Sequence, residues 1–188
     1  MSTYFRSIKS KTIYLTFDDG PHPEITPWVL DQLEKFNGTG TSFCVGENIQ
    51  KYPKTFQEIL DRGHQVANHT FNHLKGWYTK NQEYYENIQK CQDLMPKNKL
   101  FRPPYGRIKP SQYIRLKKEY KIVMWNQLSW DFLTDLNKEK ALSRLKKNVK
   151  ENAVVVFHDS QKSFDNLVYL LPNYLKYLQF KNMISRAL

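Results

Sequence analysis

Short apolar runs alternate with amphipathic stretches along the chain, and most runs end in a turn signal. The β-branched and aromatic run 13–17 stops at Asp-Asp-Gly-Pro and predicts a strand closed by a turn. Thr26 then reads as a helix N-cap with Pro27 in the first helical position; Val29, Leu30, Leu33 and Phe36 share one face. Further strands are expected at 41–45, 65–68, 100–102, 122–125 and 153–157. Helices are expected over 47–62 (Phe56, Ile59 and Leu60 inward, Gly63 as terminator), 82–95 and 111–119. The pattern continues with a basic helix over 138–151, where Leu142, Leu145 and Val149 share a face. A last helical pattern covers 167–178, interrupted or started by Pro172. The run Met183-Ile184 is left undecided as a seventh strand.

Alternating strand and helix patterns predict a largely parallel sheet covered by helices, an α/β fold. With 188 residues and neither repeat nor Gly/Ser linker, residues 1–188 read as a single domain. Such a domain buries roughly 70% of its unfolded-chain surface. No apolar run approaches the ~20 residues of a membrane span. Residues 1–11 carry Arg6, Lys9 and Lys11 and no apolar stretch, so no signal peptide is read and the compartment stays open. The oligomeric state is not legible.

The net charge of +11 favours anionic partners such as acidic glycans, cell-wall polymers, membrane surfaces or nucleic acid. Lys140, Lys146, Lys147 and Lys150 fall on the solvated side of the basic helix, and no nucleic-acid motif accompanies them, so no nucleic-acid partner is assigned. Cys44 and Cys91 read as buried apolar residues or one disulfide, without redox chemistry.

Five segments each follow a predicted strand: Thr16-Phe17-Asp18-Asp19-Gly20, His69-Thr70-Phe71-Asn72-His73, Arg102-Pro103-Pro104-Tyr105-Gly106, Trp130-Asp131 and Phe157-His158-Asp159. Loops at the C-terminal ends of parallel strands converge on one face, where α/β barrel enzymes gather catalytic groups. His69 and His73, four apart, would share a side of one helical turn and suit a metal. Asp19 is the natural third ligand. Zinc is the default ion, with cobalt, manganese, nickel or iron as alternatives. Two adjacent carboxylates repel, so one as ligand and its neighbour as general base explains the pair. A bound divalent ion would bring the pKa of water to about 7. Together the segments read as a metal-dependent hydrolase.

These motifs, TFDDG, HTxxH and RPPYG in this order, resemble the polysaccharide deacetylase family, also called the NodB-homology domain or carbohydrate esterase family 4. The resemblance spans roughly 12–159. It implies a distorted (β/α) barrel of about seven parallel strands and removal of N-acetyl groups from an amino-sugar glycan, with a peptidoglycan, chitin-type or related surface polysaccharide as partner. It assigns Asp18 as base, Asp19, His69 and His73 as metal ligands, and Arg102 as the group holding Asp18 ionised and oriented. The backbone N–H of Tyr105 would stabilise an oxyanion, and His158, oriented by Asp131, would protonate the leaving amine. Pro104, Trp130 and Val156 are the implied substrate contacts. Phe132, where the family has Trp, Val156 in place of Leu, Leu128 in place of Asp and the bulk of Trp130 depart from the family pattern and bear on pocket shape. The rival readings are a related hydrolase of a small amide or imide and a silent glycan-binding module. The resemblance suggests the cell envelope or the exterior.

Among the remaining conspicuous residues, Trp28 and Trp125 are expected in the core and His22 in a surface loop. His64 would begin a strand and Asp159 would fix its loop. Trp77, Tyr78 and Trp130 are candidates to stack on sugar rings.

Overall fold

The computed structural model describes residues 11–188; of the opening stretch read for an export signal, only Lys11 falls among them. The described strands are β1 (Lys11–Asp18), β2 (Thr41–Cys44), β3 (Gln65–Asn68), β4 (Leu100–Phe101), β5 (Lys121–Ile122), β6 (Gln127–Leu128), β7 (Val154–His158) and β8 (Met183–Ser185). Seven lie in the order β5-β4-β3-β2-β1-β7-β6, and all pairings are parallel. The undecided 183–184 run is β8, parallel to the start of β1 through Lys11 and Met183.

Consecutive strands β5 and β6 sit at opposite edges of this sheet, yet only residues 123–126 join them. Five residue steps reach at most about 17 Å. The two edges must therefore curl toward each other, which makes the expected distorted (β/α) barrel of about seven parallel strands. The predicted strand over 122–125 is cut short for the same reason. Val123 still donates to the Phe101 carbonyl (2.8 Å), after which the chain crosses the gap. Trp125, expected in the core, is only half-buried on that crossing.

Helices α1 (Ile25–Lys35), α2 (Gly46–Lys51), α3 (Pro53–Asp61), α4 (Asn81–Gln92), α5 (Pro110–Leu116), α6 (Lys138–Lys147) and α7 (Phe164–Phe180) cover the sheet. Strand β1 shows why. Ile13, Leu15 and Phe17 alternate onto the outer face and pack with Leu33, Leu142 and Tyr174 from α1, α6 and α7. Thr16 and Asp18 point the other way, into the barrel. Trp28 is half-buried at the edge of this core, with its ring edge-on to Phe164.

Three helix expectations need correction. The helix predicted over 47–62 is two helices, because Tyr52 precedes Pro53 and is pushed out of the helical region to φ −128°, ψ 57°. Pro172 neither starts nor breaks α7, which runs through it. The buried stripe of Leu167, Leu170, Leu171, Tyr174, Leu175 and Leu178 outweighs the ~3 kcal/mol of an interior proline. The carbonyl left without its donor belongs to Val168, which is exposed to water. Thr26 is not the N-cap of α1. His22, expected merely to occupy a surface loop, accepts the N–H groups of Glu24 and Ile25 on Nδ1 (3.3 Å each) and so closes the helix start.

Thr26 instead turns inward and bridges two elements. Its hydroxyl accepts the His22 N–H (2.8 Å) and donates to Asp159 Oδ2 (2.5 Å). Asp159 Oδ1 accepts the Gly20 N–H (3.0 Å), and the Asp159 N–H donates to the Asp18 carbonyl (3.1 Å). Burial pushes the Asp159 carboxyl up to about 7, against the lowering effect of these hydrogen bonds. A Cβ on Gly20 would lie 2.3 Å from Asp159 Oδ2, so only glycine lets the turn approach this closely. Asp159 thus ties the end of β7 to the turn after β1.

The cysteines form no disulfide: both are free and buried, and the Cys91 thiol donates to the Cys44 carbonyl. Thr26→Val keeps the shape of the side chain but strands one buried carboxyl oxygen and one N–H. It should cost about 1–3 kcal/mol, read as a lower urea midpoint at unchanged slope. An unchanged midpoint would show that the bridge contributes nothing.

Candidate active site

The C-terminal ends of β1, β3, β4 and β7, with the loop after β6, open onto a cavity of about 820 Å³. Asp18, Asp19, His69, His73, Tyr105, Trp130, Val156 and His158 all line it. Arg102 and Asp131 lie directly behind this wall, both without exposed surface. Pro104 is buried in the short 3-10 turn Pro104–Gly106 and does not line the cavity. Trp77 and Tyr78 are exposed outside its wall. Trp125, Leu128 and Phe132 supply the apolar part of the wall.

Asp19, His69 and His73 bring one ligand atom each to within 4.8 Å of one another. Their approach is not the expected helical turn, since 69–75 is a loop with Thr70 at φ 66° and His73 at φ 55°. The loop holds this shape because the Asn68 side chain accepts the Thr70 N–H (2.9 Å) and Asn87 accepts the Phe71 N–H (2.7 Å). His69 Nδ1 faces the Arg102 carbonyl at 2.8 Å, which places its proton there and leaves Nε2 free. Burial lowers His69 to about 4, so the ring is neutral and its Nε2 lone pair faces Asp19 Oδ1 at 3.8 Å. His73 Nε2 lies 3.2 Å from the same oxygen. Burial alone would raise the Asp19 carboxyl. The hydrogen bond from His73 and the nearby His158 and His69 instead hold it well below the ordinary carboxylate range. An anionic carboxylate beside a neutral, hydrogen-bond-oriented imidazole suits a divalent cation. The Asn48 side chain fixes the turn by donating to the Asp19 carbonyl (2.7 Å).

Asp18 points to the opposite partner. Arg102 Nη1 donates to Asp18 Oδ1 (2.6 Å) and to Thr16 Oγ1 (2.8 Å), while Nε donates to the Val123 carbonyl (3.1 Å). This charge-assisted bond orients Asp18 beside Asp19, His69 and His73, where its Oδ2 lies 3.9 Å from His69 Nε2.

Across the cavity, Asp131 grips His158 twice: Oδ2 accepts the His158 N–H (2.8 Å), and Oδ1 pairs with Nδ1 (2.7 Å). Burial opposes charging of this imidazole, but the Asp131 carboxylate outweighs it and lifts His158 to about 9. Nε2 is left for the cavity. Asn166 on α7 holds the loop by donating to the carbonyls of Asp131 and Leu133 (2.8 Å each). Asn48, Asn87 and Asn166 were not legible as site residues, because each acts on backbone atoms and belongs to no motif.

Among the described residues, no hydrogen bond uses the Tyr105 N–H, while its neighbours Gly106 and Arg107 donate to Pro103 and Pro104. Tyr105 has φ 59°, which turns it out of the surrounding 3-10 turn.

The profile of the family described as "Polysaccharide deacetylase" matches residues 6–125. A peptidoglycan-N-acetylglucosamine deacetylase of Bacillus cereus is 31% identical over 179 residues, covering 90% of this chain and 82% of the relative. The peptidoglycan-N-acetylmuramic acid deacetylase PdaC of Bacillus subtilis is 32% identical over 154 residues, covering 79% of this chain but only 32% of its own length. A solved structure of peptidoglycan deacetylase PdaC from Bacillus subtilis superposes with a TM-score of 0.83 at 28% identity, over 96% of this chain and 89% of that one. The parallel curled sheet, the motifs at its strand ends and a profile match over most of the length agree, and the chain belongs to the polysaccharide deacetylase family.

Proposed function

We propose that this chain is a metal-dependent N-deacetylase that hydrolyses the acetamide of an amino-sugar glycan, with peptidoglycan-type strands as the leading substrate. The observation that carries this reading is the division of labour in one cavity: a ligand set, an Arg-oriented carboxylate and a charged Asp–His pair on separate walls. A glycan-binding module has no need of an oriented base or a charged acid. The relatives, whose names specify peptidoglycan sugars, favour a glycan over a small amide.

Asp19, His69 and His73 would hold a divalent ion, with zinc the leading candidate. Once bound, the ion would supply Lewis acidity and a more acidic water. Asp18, steadied by Arg102, takes the proton from the water that attacks the acetamide carbon. The Tyr105 N–H is available to donate to the oxyanion that develops on the carbonyl oxygen. His158 gives its Nε2 proton to the sugar nitrogen as the C–N bond breaks, with acetate and a free amine as products. Asp131 keeps that imidazole charged and aimed. Val156, Leu128, Trp125 and Phe132 exclude water around the acetyl group, and Trp130, 38% exposed, offers its ring to a sugar at the rim.

Asp18→Asn should abolish acetate release while metal content stays at that of the parent protein; loss of metal would mean that the carboxylate roles are reversed. His158→Ala should lower turnover about 10²–10⁴-fold with metal retained. The pH profile tests the Asp–His pair. His158 acts in its protonated form, so the rate should be lost as pH rises toward about 9. Asp131→Asn removes the charge that raises the imidazole, so the alkaline limb should move down toward the ordinary value of about 6.5. An unmoved limb would remove His158 as its origin.

A further inference from the structure

Three cations line the cavity from exposed positions: Lys75, Arg107 and Lys162. Each follows a different motif, two residues after His73, two after Tyr105 and four after His158. All three are exposed, and among the described residues none of their side chains takes part in an ion pair or hydrogen bond. A chain of charge +11 scatters cations over its surface, but two of these are seated on the site's own aromatic rings. The Lys75 ammonium lies 4.5 Å from the Tyr105 ring centroid, and that of Lys162 5.9 Å from Phe132. The acidic groups lining the cavity are Asp18 and Asp19 at its floor. Asp18 is already paired with Arg102, and Asp19 faces the ligand imidazoles. The three lining cations are therefore left without an acidic partner among the lining residues, a charge that a neutral N-acetyl sugar would not use.

We infer that Lys75, Arg107 and Lys162 select an N-acetylated glycan that carries a carboxylate at or next to the reacting sugar. This deepens the deacetylase reading and rests on it. A carboxylate can meet Arg107 in two-point geometry while the lysines act as point charges. It is held outside the catalytic floor, away from Asp18 and Asp19.

The test compares three oligomers of equal length: neutral N-acetylglucosamine oligomers, peptide-free peptidoglycan strands with free lactyl carboxylates, and the same strands methyl-esterified. Acetate release is measured on the metal-loaded protein. Binding is measured separately on Asp18→Asn, so that recognition is read without turnover. The carboxylate strands should be favoured about tenfold in both kcat/KM and affinity at low salt, and the advantage should shrink as salt rises. Esterification should remove it. Lys75→Gln/Arg107→Gln/Lys162→Gln should lower the carboxylate preference toward one, with metal content and melting temperature checked against the parent. Arg107→Gln alone should lose part of it. Equal turnover of neutral, esterified and anionic strands, or a preference that survives in the triple variant, overturns the inference and leaves the deacetylase standing. Carboxylate-dependent binding without acetate from any strand supports anion selection and overturns the deacetylase.

Discussion

The guanidinium of Arg102 sits inside the curled sheet with no surface exposed to water, and much of the molecule is arranged around it. It stacks on the Phe43 ring of β2, with 3.9 Å from the guanidinium carbon to the centroid, and bonds Thr16 and Asp18 on β1 and the Val123 carbonyl beyond β5. Its own carbonyl fixes the tautomer of His69. A buried charge without its partner costs several kcal/mol. The position of Asp18 is therefore set by the energetics of the fold, and any drift of the carboxylate would expose the chain to that penalty. The side chain that holds the Asp18 carboxylate at the cavity also joins β1, β2 and the segment beyond β5.

Around this fixed centre the backbone is held in conformations that non-glycine residues avoid. Asp19, Thr70, His73, Tyr105 and Trp130 all have φ between 55° and 82°, and all belong to the motif loops at the cavity. Such conformations cost on the order of 1–3 kcal/mol each, and a β-branched residue such as Thr70 is disfavoured most. They persist because side chains over-determine the turns: Asn48 on the Asp19 carbonyl, Asn68 on the Thr70 N–H and Asn166 on the loop after Asp131. The gain is direction. A parallel strand delivers side chains alternately up and down, and a positive φ at its end re-aims one residue toward the centre. Asp18 and Asp19 are adjacent, yet one faces Arg102 and the other His73.

Much of this was legible because each motif follows a strand and carries an uncommon pairing of residue types. Asp19, His69 and His73, the Asp18–Arg102 pair and the His158–Asp131 pair converge on one cavity, as the position of the motifs at strand ends predicted. The path to that convergence was not always the expected one. The spacing of His69 and His73 suggested a helix, whereas a loop brings the two rings to 5.0 Å between centroids. Thr26-Pro27 carried the ordinary marks of a helix start, but the buried Asp159 carboxyl is a stronger claim on the Thr26 hydroxyl than any nearby N–H. Pro53 and Pro172 are the same residue type with opposite outcomes. The first follows Tyr52, which leaves the helical region while Ile49 before it and Phe56 and Ile59 after it still reach one core; the second lies in a helix whose apolar stripe is continuous.

Hydrophobic period, turn residues and motif spacing are local quantities, so the sequence by itself determined the alternation of strands and helices and the chemical inventory at the strand ends. What it could not determine are contacts between distant residues. The Arg102–Asp18 pair joins positions 84 apart, Asp159 meets Thr26 across 133 and Gly20 across 139, and Lys75, Arg107 and Lys162 share a rim only after three loops have converged. The Asp159 contacts follow from the pairing of β1 with β7, and the Arg102–Asp18 pair and the shared cavity from the curl of the sheet that residues 123–126 span. The curl of that sheet is a property of the whole packed chain and is written in no single segment of it.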